Sequence, residues 1–227
     1  MLILFDIDGT LLLTQRAGSR AMLDAARELF GDTFTFDGVE IAGRIDPLIW
    51  ADAAKANGLA DPDAHHDRFR AAYARHFAAR LRADQTVTLL PGVARLLNAL
   101  AELDQVTVGL LTGNYPETGR MKIKAAGLDP DVFTIAVWGI DGAHRRELPC
   151  LAMTQYAAKY GHPIEPRDVL IVGDTLHDID CAKASGCRCL AVATGMCCAS
   201  ELAAHEPDLL VDDLSDTPSI LAWMLNR

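Results

Sequence analysis

The sequence has few basic residues for its size and no long hydrophobic run. Its 227 residues include 21 Lys and Arg against 31 Asp and Glu, for a formal net charge of −10. Because an acidic surface repels the phosphate backbone, we expect no nucleic-acid partner. The apolar run over residues 1–5 is cut by Asp6 and Asp8, which makes it too short for a signal peptide or a membrane span. We therefore expect a soluble, cytoplasmic protein with no membrane partner.

The sequence also lacks any Cys-x-x-Cys pair. Its six cysteines all lie from Cys150 onward, and none has the spacing of a zinc site. Disulfide frameworks are typical of small, loop-rich secreted chains, so we interpret these cysteines as small buried side chains in a reduced protein. Aromatic residues make up only 6% of the chain, but hydrophobic residues make up 50%, which excludes a disordered chain.

Short apolar segments alternate with helical segments along most of the chain. Strands are predicted at residues 2–6, 106–111, 132–137, 169–172, 189–193 and 209–211, and helices at 93–103, 116–126, 147–160 and 175–185. This alternation is typical of βαβ units, in which helices cover both faces of a parallel sheet. We predict an α/β fold with a Rossmann-like parallel sheet core.

A long segment after the first strand has only helical patterns. Thr14 is predicted to cap a helix over 15–30, and the Asp-Pro pairs at 46–47 and 61–62 are each predicted to begin another helix. We assign residues 14–85 to an inserted helical cap domain. Residues 1–13 and 86–227 form the predicted α/β core domain.

Polar residues follow three of the predicted strands, where ligands of open α/β sheets bind. They are Asp6 and Asp8, then Thr112, Gly113 and Asn114, and finally Asp174 and Asp178. Four carboxylates at one edge would repel one another, and a hard dication such as Mg2+ would relieve that repulsion. Glycine-rich turns, a hydroxyl group and a guanidinium group could bind a phosphoryl group next to that cation. One aspartate can then attack phosphorus while a second acts as acid and base.

These segments resemble a known family. Asp6-Ile7-Asp8-Gly9-Thr10, Leu111-Thr112-Gly113-Asn114 and Gly173-Asp174-Thr175 with Asp178 resemble, in order and spacing, motifs I, II and IV of the haloacid dehalogenase-like (HAD) superfamily. The helical insertion resembles the C1 cap of that family, and the resemblance spans nearly the whole chain. Dehalogenases and phosphonate-cleaving members lack the second aspartate of motif I. The presence of Asp8 therefore implies a phosphatase or a phosphomutase.

The resemblance also implies a role for each site residue. Asp6 is the expected nucleophile, which forms an aspartyl-phosphate, and Asp8 the expected acid and base. Mg2+ is expected on Asp6, on the backbone carbonyl of Asp8 and on Asp174, with Asp178 completing or supporting that shell. Residues 112–114 (Thr112, Gly113 and Asn114) are expected to bind the phosphoryl group.

Motif III and the cap match the family less closely. Many relatives have lysine and proline at motif III, where this sequence has Arg145-Arg146-Glu147-Leu148-Pro149. Alignment on the leucine favours Arg145 as the phosphate-binding and catalytic cation, with Arg146 as the alternative. In the cap, the stretch from Gly43 to Asp46 resembles a Gly-x-Thr-Asp stretch of phosphoglycolate phosphatase-like members, which implies that Arg44 binds a substrate carboxylate.

We therefore predict a Mg2+-dependent phosphatase that hydrolyses a small phosphomonoester, in the manner of phosphoglycolate phosphatase, as a monomer or homodimer. One alternative is a sugar phosphomutase of the β-phosphoglucomutase type, although Thr10-Leu11 stands where such mutases tend to have Val-Ile. A second is a non-enzymatic phosphoacceptor module like a response-regulator receiver. Receivers are much shorter and lack a helical insertion after the first strand.

Overall fold

The computed structural model describes residues 1–83 and 87–226. The strands of this part of the chain are, in order, β1 (Leu2–Phe5), β2 (Leu12–Leu13), β3 (Thr88–Leu89), β4 (Thr107–Leu111), β5 (Ile135–Val137), β6 (Val169–Gly173), β7 (Arg188–Val192) and β8 (Leu209–Val211). Six of them form a parallel sheet in the order β5-β4-β1-β6-β7-β8, and β2 pairs antiparallel with β3.

Helices flank this sheet and form the insertion. They are α1 (Ala17–Phe30), α2 (Asp46–Ala56), α3 (Pro62–Ala83), α4 (Val93–Ala101), α5 (Pro116–Ala125), α6 (Leu148–Tyr160), α7 (Leu176–Ser185), α8 (Ala199–Ala204) and α9 (Thr217–Leu225). Within the described residues, none of these helices combines the length and the apolar character needed to cross a membrane.

The central strand β1 explains why the sheet has two apolar faces. Leu2 and Leu4 belong to the hydrophobic cluster on one face, and Ile3 and Phe5 to the cluster on the other. Successive strand side chains point to opposite faces, so an unbroken apolar strand needs helices on both sides. The α/β fold with a parallel sheet core is confirmed.

Helices α1, α2 and α3, called the cap below, pack around one hydrophobic cluster, to which Tyr115 also belongs. The centre of this cluster is the indole of Trp50, which stacks on Phe69 with 4.2 Å between ring centroids. Of the two predicted domain boundaries, the one between 13 and 14 falls directly after β2. The one between 85 and 86 lies outside the described residues. The division into core and cap domains stays a prediction.

The prediction that Thr14 is the N-cap residue of the first helix was wrong. The helix begins at Ala17, and Thr14 contributes only its backbone carbonyl, which accepts a hydrogen bond from the Ala17 amide. The reason is that Gln15 and Arg16 have positive φ angles of 48° and 66°, which an α-helix cannot contain.

Some predicted boundaries shift for similarly local reasons. The strand predicted at 132–137 is confined to β5, because Pro130 begins a short 3-10 helix over Pro130–Val132. The helices predicted over 93–103 and 116–126 end at 101 and 125. The short pair β2 and β3 and the helices α8 and α9 were not predicted.

Candidate active site

The central position of β1 brings the predicted site together. Its neighbours in the sheet are β4 and β6, so Asp6, Thr112 and Asp174, which follow these three strands, meet at one edge. The chain continues from β1 to one side of the sheet and later returns to the other, which makes this edge a topological switch point. A pocket of about 400 Å³ lies between this edge and the cap and is lined by residues from both.

Three buried carboxylates form the floor of the site. Asp6, Asp174 and Asp178 each offer an oxygen, and these oxygens lie within 4.8 Å of one another. Burial, with further repulsion from Asp178, raises the pKa of Asp6 to about 6 although Arg145 opposes the shift. Burial and the same neighbouring carboxylate also raise the pKa of Asp174. An all-oxygen donor set that repels itself suits a hard divalent cation.

Arg145, and not Arg146, reaches this cluster. Its Nη2 lies 2.5 Å from Oδ1 of Asp178 and 3.1 Å from Oδ2 of Asp6. Burial opposes its charge, but these two carboxylates more than offset burial and raise the pKa of Arg145. Its Nε is the buried side-chain nitrogen without a hydrogen-bond partner among the described residues. Arg146 instead pairs with Asp180 at the surface.

The carboxylate of Asp178 contacts neighbouring residues and is not part of the pocket lining. Its Oδ1 accepts the bond from Arg145, while its Oδ2 accepts bonds from the amide (3.0 Å) and the hydroxyl (2.7 Å) of Thr175. The bond from the Thr175 amide is one half of a capping box that begins α7, and in the other half the amide of Asp178 donates to the side chain of Thr175. Both carboxylate oxygens of Asp178 are therefore engaged by other residues of the chain.

Asp8 belongs to a separate hydrogen-bond network at the same pocket. Its Oδ2 accepts bonds from Nδ2 of Asn114 at 2.8 Å and from Nζ of Lys122 at 2.6 Å. Asn114 also donates to Oγ1 of Thr112 at 2.8 Å. We did not predict Lys122. The signal was its position on the buried face of α5, four residues beyond Thr118 and three beyond Gly119.

Two glycines surround the carboxylate of Asp174. A Cβ atom added at Gly9 or at Gly195 would overlap that carboxylate. Thr10 donates its hydroxyl to Oδ1 of Asp174 at 3.2 Å, and Thr194 donates its hydroxyl to the carbonyl of Gly9. Thr194 and Gly195 were not predicted, although they follow β7 at the same edge of the sheet and so satisfy the rule that identified the other strand ends.

The cap segment that contains Arg44 packs against the loop after β4. The amide of Asp46 donates to the carbonyl of Gly113 at 2.7 Å, and a Cβ atom at Gly113 would overlap the carbonyl of Arg44. The guanidinium of Arg44 lines the pocket but is bound to Asp52 at 2.7 Å and to Glu40 at 3.5 Å. The residue expected to meet a substrate carboxylate is thus already paired with two acidic residues.

The chain is similar to known hydrolases and phosphatases. The sequence profile of the haloacid dehalogenase-like hydrolase family matches residues 1–186. The chain is 29% identical over 223 residues to the probable phosphatase IndB of Dickeya dadantii, covering 95% of this chain and 90% of that protein. It is 26% identical over 220 residues to a phosphoglycolate phosphatase of Yersinia pestis, covering 93% and 89%.

Among solved structures, CbbY from Rhodobacter sphaeroides in complex with phosphate superposes with a TM-score of 0.76 at 23% identity, covering 95% of each chain. This likeness shows a shared fold. The match of the family profile over most of the chain establishes that the protein belongs to the haloacid dehalogenase-like hydrolases, the family that its three sequence motifs resemble.

Proposed function

We propose that this protein hydrolyses a small phosphomonoester through an aspartyl-phosphate on Asp6. The observation that carries the proposal is the meeting of Asp6, Asp8, Asp174 and Arg145 in one pocket beneath the cap. A nucleophilic carboxylate, a second carboxylate for proton transfer, a cation and an oxygen donor set are what phosphoryl transfer to aspartate requires.

The carboxylate cluster fits a divalent cation. Asp6 and Asp174 would hold Mg2+ with the backbone carbonyl of Asp8, while Asp178 keeps Arg145 in place. When bound, Mg2+ would neutralise the buried carboxylates and draw charge from the phosphoryl oxygens. Burial first, and then repulsion between neighbouring carboxylates, raises the pKa values of Asp6 and Asp174, which supports this assignment because such carboxylates favour a bound proton or cation.

The residues of the chain supply the remaining steps. Asp6 attacks phosphorus, the bond from phosphorus to the leaving oxygen breaks, and Asp8 gives its proton to that oxygen. Asp8 then takes a proton from water as the water attacks the aspartyl-phosphate and releases inorganic phosphate. Arg145 offsets the charge that builds on the phosphoryl oxygens, and Thr112 donates a hydrogen bond to one of them. The cap excludes bulk water from the pocket.

The similarity to the phosphoglycolate phosphatase of Yersinia pestis suggests phosphoglycolate as a substrate. To bind a substrate carboxylate, Arg44 would have to exchange its contact with Asp52 for a contact with the substrate. Phosphoglycolate therefore remains one member of the substrate class that we propose.

The test is phosphate release from a panel of small phosphomonoesters, with phosphoglycolate among them, in the presence of Mg2+ and again in excess EDTA. We expect turnover that EDTA removes. Asp6→Asn should abolish turnover and leave the circular dichroism spectrum unchanged, because the substitution is nearly isosteric but removes the nucleophile.

The matched control is Asp180→Asn, which removes a carboxylate from the surface pair with Arg146. We expect this variant to retain wild-type turnover. Substantial phosphatase activity in pure Asp6→Asn protein would contradict the nucleophile assignment. No release across the whole panel would contradict the proposed phosphatase and favour a mutase, which a bisphosphate-primed isomerisation assay detects.

A further inference from the structure

Lys122 is a buried lysine that points into the pocket from a helix of the core. Its side chain is 6% exposed, and its Nζ lies 2.6 Å from Oδ2 of Asp8 and 2.5 Å from Oδ1 of Asn114. Asn114 in turn donates its amide Nδ2 to the same oxygen of Asp8. One carboxylate oxygen of Asp8 thus receives two hydrogen bonds, one of them from a full positive charge.

The cap covers the lysine on its other side. Its ammonium lies 5.9 Å from the ring centroid of Phe77, and a Cβ atom at Gly18 would lie 3.6 Å from Nζ. Burying an ammonium costs free energy that only well-placed anions and acceptors offset. The carboxylate that meets Lys122 directly is Asp8, whose own side chain is 41% exposed to the pocket.

The other oxygen of Asp8 has a different environment. Among the described residues, no hydrogen bond to Oδ1 of Asp8 is present, whereas Oδ2 accepts both bonds. A half-exposed carboxylate without such contacts would sample several side-chain rotamers. Two donors on one oxygen select a single orientation and leave the second oxygen of this pocket-lining residue without a donor from the described residues.

We propose that Lys122 is a positioning residue for Asp8: together with Asn114 it holds Oδ2, so that Oδ1 is the atom that exchanges a proton with the leaving oxygen. The inference rests on the proposed function, in which Asp8 is the general acid. Lys122 itself touches neither the phosphoryl group nor the leaving group. It acts by keeping Asp8 within reach of the bond that breaks, and misplacement by about 1 Å is costly in such a step.

The test compares two substrates of similar shape whose leaving groups differ in basicity. Benzyl phosphate releases a strongly basic alkoxide and needs a general acid, while 4-nitrophenyl phosphate releases a stable phenolate and needs one much less. In Lys122→Met, which keeps an unbranched side chain one atom shorter but removes the charge, we expect kcat/KM for benzyl phosphate to fall by about 10- to 100-fold. The fall for 4-nitrophenyl phosphate should be clearly smaller.

Three further variants separate positioning from stability. Lys124→Met, at an exposed position of the same helix, should leave both values of kcat/KM unchanged. Lys122→Gln removes the charge but keeps a donor group in its side-chain amide, so the ratio of the two values should be intermediate. This variant tests the inference if Lys122→Met is poorly folded. In an Asp8→Asn background, Lys122→Met should not change that ratio further, because the group that it positions is gone.

The outcomes distinguish the inference from the proposed function. Suppose that Asp8→Asn changes the ratio of the two kcat/KM values, but that Lys122→Met and Lys122→Gln lower kcat/KM for both substrates by the same factor or leave both unchanged. Lys122 is then only structural, and the inference is wrong. If Asp8→Asn itself leaves the ratio unchanged, Asp8 is not the general acid. The proposed mechanism then fails, and the inference fails with it.

Discussion

At the scale of single residues, two glycines set the space in which the carboxylate of Asp174 lies. Gly9, with φ of +80°, and Gly195 approach it from loops after β1 and β7, and a side chain on either would overlap it. These two close contacts come from separate loops, and together they limit the positions that the carboxylate of Asp174 can take. The turn glycine of the first motif therefore leaves room for the carboxylate of Asp174, a ligand of the proposed cation, as well as allowing the backbone conformation.

We expect Gly9→Ala to displace Asp174 and so to weaken activation by Mg2+. The Mg2+ concentration for half-maximal activity should rise by about 10-fold or more, since ligand geometry governs affinity for a small divalent cation. The measurement is a Mg2+ titration of phosphate release.

Gly127→Ala is the matched control, because Gly127 also has φ of +80° but an added Cβ would meet nothing within 4 Å. Both variants suffer the same backbone strain, on the order of 1 kcal/mol. A similar Mg2+ requirement in the two variants would show that strain, and not contact with Asp174, explains any loss.

At the scale of elements, the first turn of α2 joins the cap to the loop after β4. Asp46, the first residue of α2, accepts a bond from the amide of Tyr115 at 2.9 Å. Its carboxylate is therefore not the helix cap that an Asp-Pro pair suggests. Burial raises its pKa from 3.8 to about 7, although the charge of Lys122 opposes the shift.

The raised pKa of Asp46 makes stability depend on pH. Between about 4 and about 7 the folded protein holds a proton on Asp46 that the unfolded chain has released. The stabilisation is thus fully present below the lower value and is lost as pH rises through the upper one. Asp46→Asn cannot titrate and keeps an oxygen acceptor for Tyr115. Relative to wild type, its free energy of unfolding should therefore increase by ~1–4 kcal/mol across this window.

Urea unfolding at several pH values measures that difference. The control is Asp32→Asn, which removes a carboxylate at an exposed position of the cap. Asp32→Asn shows how losing an exposed carboxylate changes the free energy of unfolding, so that the additional effect of the buried carboxylate of Asp46 can be recognised. A constant difference between Asp46→Asn and wild type across the window would contradict the raised pKa.

At the scale of the whole molecule, the cap is attached to the core by polar contacts on the side of α5. Arg70 of α3 forms two hydrogen bonds with Glu117 of α5, at 2.6 and 2.8 Å. Next to them, His66 meets the hydroxyl of Tyr115 at 2.7 Å, and the Tyr115 ring belongs to the hydrophobic cluster of the cap. A residue of the core sequence thus completes the packing of the cap.

Removing the pair between Arg70 and Glu117 should weaken cap closure. For Arg70→Gln we expect a KM several-fold higher, because part of the substrate's binding free energy must then hold the cap closed. A double-mutant cycle with Glu117→Gln should give a coupling of about 0.5–1 kcal/mol, since both groups are partly exposed.

The control for this prediction is Arg75→Gln, which breaks a similar two-bond pair with Glu28 that lies wholly within the cap. Its KM should equal that of wild type. An equal rise of KM in both variants would show that the effect comes from destabilising the cap and not from its contact with the core.

The sequence by itself determined the sheet and the acidic site at its edge. Apolar runs that end in Asp6, Thr112 and Asp174 predict both the strands and the edge where they meet, because both depend on spacing along the chain. Helix α8 was missed because its six residues carry too few periods of an apolar pattern to be recognised, and α9 because its apolar residues follow one another without a helical period.

Only the tertiary structure decided how the site residues pair. Arg145, and not Arg146, contacts Asp178; Arg44 pairs with Asp52; and Lys122 contacts Asp8. No pattern in the sequence links the two members of any of these pairs. Such pairs form because packing of the cap and of α5 against the sheet removes water from charged groups, and a charge without water requires a partner. The partner is chosen by distance in space, which no local pattern records.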